Sequence, residues 1–335
     1  MTAKPYSEEA LVEQAAVEIL GSLAWASLSA TKEAFGAGGT LGRQSAREVA
    51  LVSRIRAGLR KLNPDAPAAA LDLAVDEVIR DRAAMGGPAA NREVHRLLTE
   101  GVKVVTKDEQ TGKDEPRTLR VIDWEAPAEN DFLAVRQLSL KGPLYTCIPD
   151  MVLFVNGLPL VVIELKRPGV PVRQGFDENL TSYKHAQNGV PQLFAFNALL
   201  IASNGTDAKV GSLTADWSRF FDWKRIESET EERRVSLEVL LRGTCEPVRL
   251  LDLVRNFSLF SEHKSGLTKI LGQNHQFLGV NQAIQATLRA RDDGHGRAGV
   301  FWQTQGSGKS FSMVFYAQKI LRTVPGNWTF VIITD

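Results

Sequence analysis

Apolar positions at helical spacing dominate the N-terminal part of the chain. Residues 7 to about 86 read as helical, and two stretches within them, Leu41 to Leu62 and Leu71 to Arg82, are separated by the break Asn63-Pro64-Asp65. The first apolar stripe consists of Leu11, Val12, Ala15, Ala16, Ile19, Leu20 and Leu23. The pattern therefore predicts a helical N-terminal region.

Strand-like patterns follow this region. Three short strands are predicted at Val102 to Thr106, Thr118 to Ile122 and Phe132 to Leu138. A longer apolar segment between Asp150 and Lys166 comes next, followed by a helical stretch from Asp177 to Gln187 and a strand from Leu193 to Ser203. Helices around a sheet of this size predict an α/β core.

The segment from Asp150 to Lys166 reads as a β-hairpin, because two apolar runs flank Asn156-Gly157. Its only acids are Asp150 and Glu164, and its only ammonium is that of Lys166. Burying a charge in an apolar sheet costs several kcal/mol per ion, roughly, unless a metal or a partner compensates. The cluster therefore predicts a magnesium site.

The loop decides whether the acids share a face. Glu164 and Lys166 are two apart on one strand and point to the same face. A two-residue loop at Asn156-Gly157 places Asp150 on the opposite face, whereas a three-residue loop beginning at Val155 brings all three charged groups together. Asn-Gly suits either loop, so the sequence leaves both open.

The chemistry of such a cluster is phosphodiester hydrolysis. Asp150 and Glu164 would hold one or two Mg²⁺ ions, and Lys166 would position the attacking water or stabilise negative charge on the phosphate. With Pro149, these residues resemble the PD-(D/E)xK nuclease pattern. The alternative reading is a hairpin whose ends happen to be charged.

A second motif lies near the C-terminus. An apolar strand from Ala298 to Trp302 leads into a glycine-rich loop and a helix-like stretch from Ser310 to Leu321. The strict phosphate-loop motif has glycine where Gln303 stands, but the strand–loop–helix context remains. The residues predicted to bind ATP are Gly306, Ser307 and Gly308 through backbone amides, Lys309 at the β- and γ-phosphates, and Ser310 as a ligand of the Mg²⁺ that accompanies ATP.

The strand predicted from Trp328 to Thr334 would close a βαβ unit, and the chain stops at Asp335. No acid box of the Walker B type follows the loop, and a RecA-like lobe needs several more strands. The sequence therefore predicts a fragment of a longer protein that by itself hydrolyses ATP inefficiently.

Composition changes the picture little. The 335 residues are 44% hydrophobic and 24% charged with net charge +1, so a nucleic-acid surface would be a local patch. Cys147 and Cys245 fit no zinc or disulfide spacing and are predicted to be buried in a reducing cytoplasm. The polar N-terminus excludes a signal peptide, and no apolar run is long enough for a membrane span.

Basic residues offer few distinct signals. A run within the second helical stretch is most simply a solvated face, with phosphate contact as the minority interpretation. Its members are Arg43, Arg47, Arg54, Arg56, Arg60 and Lys61. Arg167 and Arg173, just beyond Lys166, are well placed to meet a DNA backbone.

Together the motifs resemble the N-terminal part of the R subunit of type I restriction–modification enzymes, which carries the endonuclease and the DNA motor. The resemblance covers essentially the whole chain and is specific in the order of its parts. These are Pro149-Asp150 with Glu164-Leu165-Lys166, Asn179 with Tyr183, the segment 274–280, the loop 303–310, and Thr334-Asp335.

The resemblance implies a PD-(D/E)xK restriction-endonuclease-like α/β domain, a mixed sheet flanked by helices, within residues 1–230. A linker and helix at 231–265 would follow, with a charged boundary at 227–234, and then the truncated start of a RecA-like, superfamily 2 helicase ATPase at 266–335. The implied activity is ATP-dependent translocation on double-stranded DNA with Mg²⁺-dependent cleavage. Methyltransferase and specificity subunits would read the DNA sequence, and a partner would bind S-adenosylmethionine.

Three further site residues rest on the resemblance. Nuclease relatives often carry Gln-x-x-x-Tyr after the catalytic strand, and here Asn179, one methylene shorter, precedes Tyr183 on one helical face. Gln276 is the implied adenine reader, through bidentate hydrogen bonds to the base edge.

Two alternatives remain. One is a stand-alone nuclease-helicase in DNA repair without methyltransferase partners, which the presence or absence of modification subunits would separate. The other is a catalytically silent module that docks DNA or a partner. The intact set Asp150, Glu164 and Lys166 argues against it.

Overall fold

The computed structural model describes residues 8–107, 112–264 and 266–333, which form a mixed α/β architecture. The helices are α1 (Glu8–Ser22), α2 (Val52–Leu62), α3 (Ala68–Ile79), α4 (Gly87–Glu100), α5 (Val172–Gln174), α6 (Thr181–Tyr183), α7 (Pro191–Ala195), α8 (Leu237–Thr244), α9 (Pro247–Asn256), α10 (Asn274–Asp292) and α11 (Lys309–Thr323). The strands are β1 (Ala26–Ser29), β2 (Val102–Lys107), β3 (Asp114–Leu119), β4 (Phe132–Arg136), β5 (Leu140–Lys141), β6 (Thr146–Cys147), β7 (Met151–Val155), β8 (Leu158–Leu165), β9 (Leu199–Ser203), β10 (Ala208–Gly211), β11 (Ser258–His263) and β12 (Gly266–Leu271). Shorter turns of other helix types lie at Ala83–Met85, Pro127–Glu129, Gly175–Leu180 and Trp217–Arg219.

The central sheet has six strands in the order β1-β4-β7-β8-β9-β10. The pairs β1/β4 and β8/β9 are parallel, and the other three are antiparallel. Every residue of β7, β8 and β9 is buried. Strands covered on both faces read as continuous apolar runs, which is the pattern of the predicted hairpin. The expectation of a mixed sheet flanked by helices is confirmed.

The N-terminal region is less helical than predicted. β1 interrupts it as an edge strand beside β4. The predicted helix from Leu41 to Leu62 forms only from Val52, because the preceding segment turns at Gly42 (φ 70°) and buries Arg43 against Glu33. In contrast, α4 forms where no helix was predicted.

Two assignments between residues 193 and 260 also change. The predicted strand from Leu193 to Ser203 begins as helix α7, and β9 starts only at Leu199. The apolar stretch from Leu237 to Phe260 contains α8 and α9, but its last residues belong to the hairpin β11/β12. Short apolar runs do not distinguish a buried helix from a strand, which explains both errors.

Around the predicted phosphate-binding loop, the predicted helix is confirmed and the two predicted strands are not. α11 follows the loop as predicted, whereas residues 298–303 and 327–333 form no strand. Val300 is 95% exposed and Ile333 91% exposed. A strand of a parallel sheet depends on hydrogen-bonded neighbours, and within the described ranges none pairs with these segments. Thr334, Asp335 and residue 7 lie outside the described residues.

Two smaller expectations can be compared directly. Cys147 and Cys245 are both buried and free, as predicted. Across the described part of the chain, no helix has the length and apolar character needed to cross a membrane.

Candidate active site

The hairpin turn has two residues. Val155 pairs with Leu158, and Asn156 and Gly157 both have positive φ (49° and 82°), as a type I′ turn requires. A Cβ at Gly157 would lie 2.5 Å from the carbonyl oxygen of Leu51, so glycine is needed for space as well as conformation. In a regular hairpin, a two-residue loop would place Asp150 and Glu164 on opposite faces of the sheet.

A β-bulge in β8 shifts the register by one residue and returns the two acids to the same face. Phe154 pairs with Pro159, but Leu153 pairs with Val161, so Leu160 is an extra residue on β8. Beyond the bulge Met151 pairs with Ile163, and continuing this register places Asp150 opposite Glu164. The charged groups therefore meet on one face, through a bulge that sequence reasoning did not consider.

Asp150 is held by hydrogen bonds to both carboxylate oxygens. The Leu165 backbone amide donates to Oδ2 at 2.7 Å, and the Gln137 side-chain amide donates to Oδ1 at 3.2 Å. The Gln137 backbone amide also donates to the carbonyl oxygen of Asp150 at 3.0 Å. These contacts fix the direction of the carboxylate before any ligand arrives.

Glu164 is 1% exposed, and its Oε1 is buried without a hydrogen-bond partner. Burial and the neighbouring Asp150 carboxylate hold the pKa of Glu164 well above its ordinary value of 4.5, against the opposing effect of Lys166. A buried glutamate with one unpartnered oxygen, beside a second carboxylate, is an arrangement that a divalent cation relieves.

The donor set fits magnesium. Within residues 8–107, 112–264 and 266–333, no group of three or more His, Cys, Asp and Glu side chains is placed to hold a metal. A cation at this site would therefore have the carboxylates of Asp150 and Glu164 and would complete its coordination with other oxygens. Mg²⁺ is commonly bound by one or two carboxylates together with water and substrate phosphate.

Lys166 belongs to a chain of side-chain hydrogen bonds. Its Nζ donates to Oδ1 of Asn179 at 2.9 Å, and Nδ2 of Asn179 donates to the hydroxyl of Tyr183 at 3.1 Å. That hydroxyl donates to the carbonyl oxygen of Ile148 at 3.4 Å. Burial and the Glu164 carboxylate raise the pKa of Tyr183, which keeps the phenol protonated as a donor. Both predicted helix residues thus reach the site.

The segment that presents Asn179 is a turn of π-helix, Gly175–Leu180, between α5 and α6. A Cβ at Gly175 would lie 3.5 Å from Cβ of Glu164 and 3.7 Å from Cε of Lys166. The turn therefore packs directly on the end of β8. π-turns are rare and occur mainly at functional sites. The predicted regular helix from Asp177 to Gln187 is replaced by this irregular one.

Sequence reasoning missed a third carboxylate near the site. Oε2 of Glu13, on α1, accepts from Nε2 of Gln137 at 2.9 Å, so that Gln137 bridges Glu13 and Asp150. Oε1 of Glu13 accepts from Arg136 at 3.3 Å. Gln137 adopts φ 53°, an uncommon value for a residue other than glycine. A polar Glu13 beside the apolar stripe of α1 was the only available signal.

The basic residues divide into two groups. Arg167 is exposed beside Lys166. Arg173 is exposed too and pairs with Asp177 at 3.0 Å. In the basic run of the N-terminal region, most cations have acidic partners. The ion pairs are Arg43 with Glu33, Arg54 with Asp131, Arg56 with Asp72 and Lys61 with Glu129. These pairs favour the interpretation of the run as a structural surface.

The predicted phosphate-binding loop, residues 303–310, is open. Gly306 and Gly308 both have φ 81°, and Gly308 stands directly before the first residue of α11, Lys309. The side chains of Lys309 and Ser310 are exposed at the helix N-terminus, where backbone amides and the helix dipole favour an anion. Gln303 is 7% exposed and accepts from the Ser312 hydroxyl at 3.1 Å, which anchors the loop to α11.

Gln276 contacts this loop directly. Its Nε2 donates to the carbonyl oxygens of Gly308 at 3.0 Å and Ser307 at 3.4 Å, and its Oε1 accepts from the Gln273 amide at 2.9 Å. The residue is 3% exposed. An adenine contact through this amide would have to replace one of these hydrogen bonds, so that role stays a prediction. A cavity of about 1250 Å³ lies between residues 221–233, α10 and the loop.

Two family models match the chain. The one described as type I restriction enzyme R protein N terminus matches residues 5–219, and the one described as SWI2/SNF2 ATPase matches residues 275–335. The first spans the paired carboxylates, and the second spans the phosphate-binding loop.

Similar proteins are curated as type I restriction enzyme endonuclease subunits. The chain is 36% identical to the HindI endonuclease subunit of Haemophilus influenzae, over 97% of this chain and 31% of that protein. It is 28% identical to the putative MjaIXP endonuclease subunit of Methanocaldococcus jannaschii, over 88% of this chain and 30% of that protein. It is 26% identical to the SauCOLORF180P endonuclease subunit of Staphylococcus aureus, over 70% of this chain and 25% of that protein. The chain thus spans less than a third of the length of each.

Proposed function

The chain belongs to the type I restriction enzyme R protein family, and we propose that it carries the nuclease centre and the ATP-binding start of the motor of such an enzyme. Double-stranded DNA in the cytoplasm is the proposed substrate, with methyltransferase and specificity subunits as the proposed partners. The observation that carries the nuclease proposal is the position of Asp150 opposite Glu164, with Lys166 on the same face.

The proposed nuclease domain has the PD-(D/E)xK arrangement within residues 1–230. Asp150 and Glu164 would hold Mg²⁺, which when bound supplies Lewis-acid stabilisation to the scissile phosphate. Asn179 holds the ammonium of Lys166 beside the carboxylates, where it can orient an attacking water and offset the charge that develops on the phosphate. Tyr183 keeps Asn179 in place, and Arg167 would meet the DNA backbone.

The proposed motor segment begins near residue 266, after the linker at 231–265. Gly306, Gly308 and the first turn of α11 would bind the phosphates of ATP, with Lys309 at the β- and γ-phosphates. Ser310 would act as a ligand of the accompanying Mg²⁺. Gln276 supports this loop through the Ser307 and Gly308 carbonyls.

The test uses the complete R subunit assembled with its modification and specificity subunits. Glu164→Ala and Lys166→Ala should each abolish plasmid linearisation in the presence of ATP and Mg²⁺ while DNA-stimulated ATP hydrolysis continues. Lys309→Ala should abolish both activities, because cleavage depends on the motor. Retention of wild-type cleavage by Glu164→Ala would refute the nuclease assignment.

Controls come from the hairpin β2/β3, which forms a sheet separate from the one that carries the site. Lys103→Ala and Asp114→Ala change exposed charges on β2 and β3 and should leave cleavage unchanged. Complex formation with the other subunits distinguishes a type I restriction subunit from a stand-alone nuclease-helicase. A chain that cleaves DNA without forming a complex with methyltransferase and specificity subunits would be the stand-alone nuclease-helicase.

A further inference from the structure

The hairpin β5/β6, immediately before β7, exposes large apolar side chains next to the candidate active site. Leu144 is 67% exposed, Tyr145 62% and Ile148 47%. Single exposed apolar residues are ordinary on protein surfaces, but three within five positions form a patch, and patches of this kind mark interaction sites. We define Leu144 and Tyr145 as the hairpin tip.

The tip is held rigidly. The Gly142 amide donates to the Tyr145 carbonyl oxygen at 2.9 Å and closes the turn. A Cβ at Gly142 would lie 2.0 Å from the carbonyl oxygen of Gly189, so the turn is pressed against the segment after α6. The Lys141 amide donates to the Ala46 carbonyl oxygen at 2.8 Å. Because these contacts hold the turn in place, Leu144 and Tyr145 remain exposed, unlike apolar side chains on a flexible loop that can fold back onto the protein.

The base of the hairpin is tied to the active site. Ile148 accepts the hydrogen bond of Tyr183, which belongs to the chain that holds Lys166. A fully extended chain spans about 3.5 Å per residue, so Tyr145 lies within about 18 Å of Asp150, or about five base steps of 3.4 Å along a DNA strand. The tip therefore lies within about five base steps of a phosphate held at Asp150.

The charge around the tip suits DNA. Residues 137–149 contain no acidic side chain, and Lys141 is exposed at the base of the turn. Many DNA-bending proteins insert exposed apolar side chains such as leucine between base steps, which unstacks the bases and kinks the duplex. Aromatic rings also stack on bases without sequence preference.

We propose that Leu144 and Tyr145 form an apolar wedge that enters duplex DNA beside the scissile phosphate and positions the phosphate over the carboxylates. This proposal rests on the proposed nuclease function. The wedge reads no sequence, which is compatible with cleavage at positions that separate subunits do not specify. Tyr145 acts here through its ring and not through its hydroxyl.

The first experiment identifies the occupant of the tip. The photocrosslinking amino acid p-benzoyl-phenylalanine is placed at position 145 of the complete R subunit in its assembled enzyme, with Ca²⁺ in place of Mg²⁺ so that DNA is bound and not cut. Irradiation should crosslink the R subunit to DNA, whereas the same group at Val105, exposed on β2, should not. Crosslinks only to protein would overturn the wedge and identify the tip as a subunit contact.

The second experiment measures the consequence. Leu144→Ser/Tyr145→Ser should lower the rate of DNA cleavage at least tenfold while DNA-stimulated ATP hydrolysis changes less than twofold. Tyr145→Phe should cleave normally, and Leu73→Ser/Val105→Ser, which also removes two exposed apolar side chains, should have no effect. Wild-type cleavage by the double serine variant, when Glu164→Ala is inactive, would refute the wedge and leave the nuclease proposal standing.

Discussion

The backbone amide of Leu165 donates to Oδ2 of Asp150 at 2.7 Å, so the main chain of one strand orients the acid at the start of its neighbour. This contact exists only because the bulge at Leu160 shifts the register by one residue. The orientation of this proposed metal ligand is therefore a property of the hairpin backbone and not of the acid alone.

Asp150→Asn is expected to lower cleavage about 10²–10⁴-fold, because it removes one of two anionic ligands and with it several kcal/mol of stabilisation at the phosphate. Single-turnover plasmid linearisation by the assembled enzyme at saturating Mg²⁺ measures this effect. Asp131→Asn is the matched control, since Asp131 pairs with Arg54 away from the site. Equal cleavage by the two variants would exclude Asp150 as a ligand.

Glu164 should destabilise the metal-free protein at neutral pH. The folded protein holds the Glu164 proton to higher pH than the unfolded chain, whose carboxyl has the ordinary pKa of 4.5. Folded protein therefore binds more protons than unfolded protein above pH 4.5, and its stability falls as pH rises through that window.

Glu164→Gln removes this loss of stability. At pH 8 without divalent cations it should raise the free energy of unfolding by about 1–3 kcal/mol, or about 1–2 °C in Tm per kcal/mol for a chain of this length, and the gain should vanish near pH 4. Thermal unfolding followed by circular dichroism tests this. Mg²⁺ should raise the Tm of the wild type and not of the variant. A variant that is less stable at pH 8 would contradict the interpretation of Glu164 as an uncompensated buried acid.

Much of this site was readable from the sequence. Asp150, Glu164 and Lys166 were predicted from their isolation in apolar strands, and Asn179 and Tyr183 from the resemblance to the nuclease pattern. Their convergence was not readable, because Asn-Gly fits loops of either parity and the β-bulge at Leu160 has no local signature beyond the preceding Pro159.

Long-range contacts explain the other differences. Glu13 is more than a hundred residues from Gln137 and Asp150, and no local pattern links them. β1 is four residues long and forms a strand because β4 is available beside it. Conversely, residues 298–303 have a strong strand pattern and no strand partner among the described residues. Local propensity determined the outcome only where the neighbours agreed with it.

The bridge through Gln137 should support catalysis without binding the substrate. Gln137→Leu removes the amide that donates to both Glu13 and Asp150. Cleavage should fall about 10–100-fold, which is the usual effect of removing a group that orients a metal ligand. Glu13→Gln should have an effect of similar size, together with a raised Mg²⁺ requirement. Glu18→Gln, at an exposed position on the same helix, should leave both quantities unchanged. A normal Mg²⁺ requirement in both site variants would show that the bridge is only structural.

Restoring the commoner glutamine at position 179 should impair this protein. Asn179 already reaches Nζ of Lys166 at 2.9 Å from the π-turn, so one more methylene group must displace the lysine or the turn. Asn179→Gln is therefore expected to lower cleavage about tenfold, comparable to a loss of about 1.4 kcal/mol of positioning. Asn179→Ala measures the complete loss of the contact. Higher activity in the glutamine variant would show that Asn179 is too short for its role.

The side-chain amide of Gln276 donates hydrogen bonds to the predicted phosphate-binding loop, and this support does not depend on a bound nucleotide. Gln276→Ala leaves the carbonyl oxygens of Ser307 and Gly308 without this donor, at a cost of about 1–3 kcal/mol. If that cost falls on the loop, MgATP and MgGTP should both bind about tenfold more weakly, because 1.4 kcal/mol corresponds to a factor of ten. Isothermal titration with both nucleotides measures the effect, and Gln285→Ala, exposed on the same helix, is the control. A loss confined to MgATP would contradict loop support as the main role, because only a contact to the adenine edge distinguishes the two nucleotides.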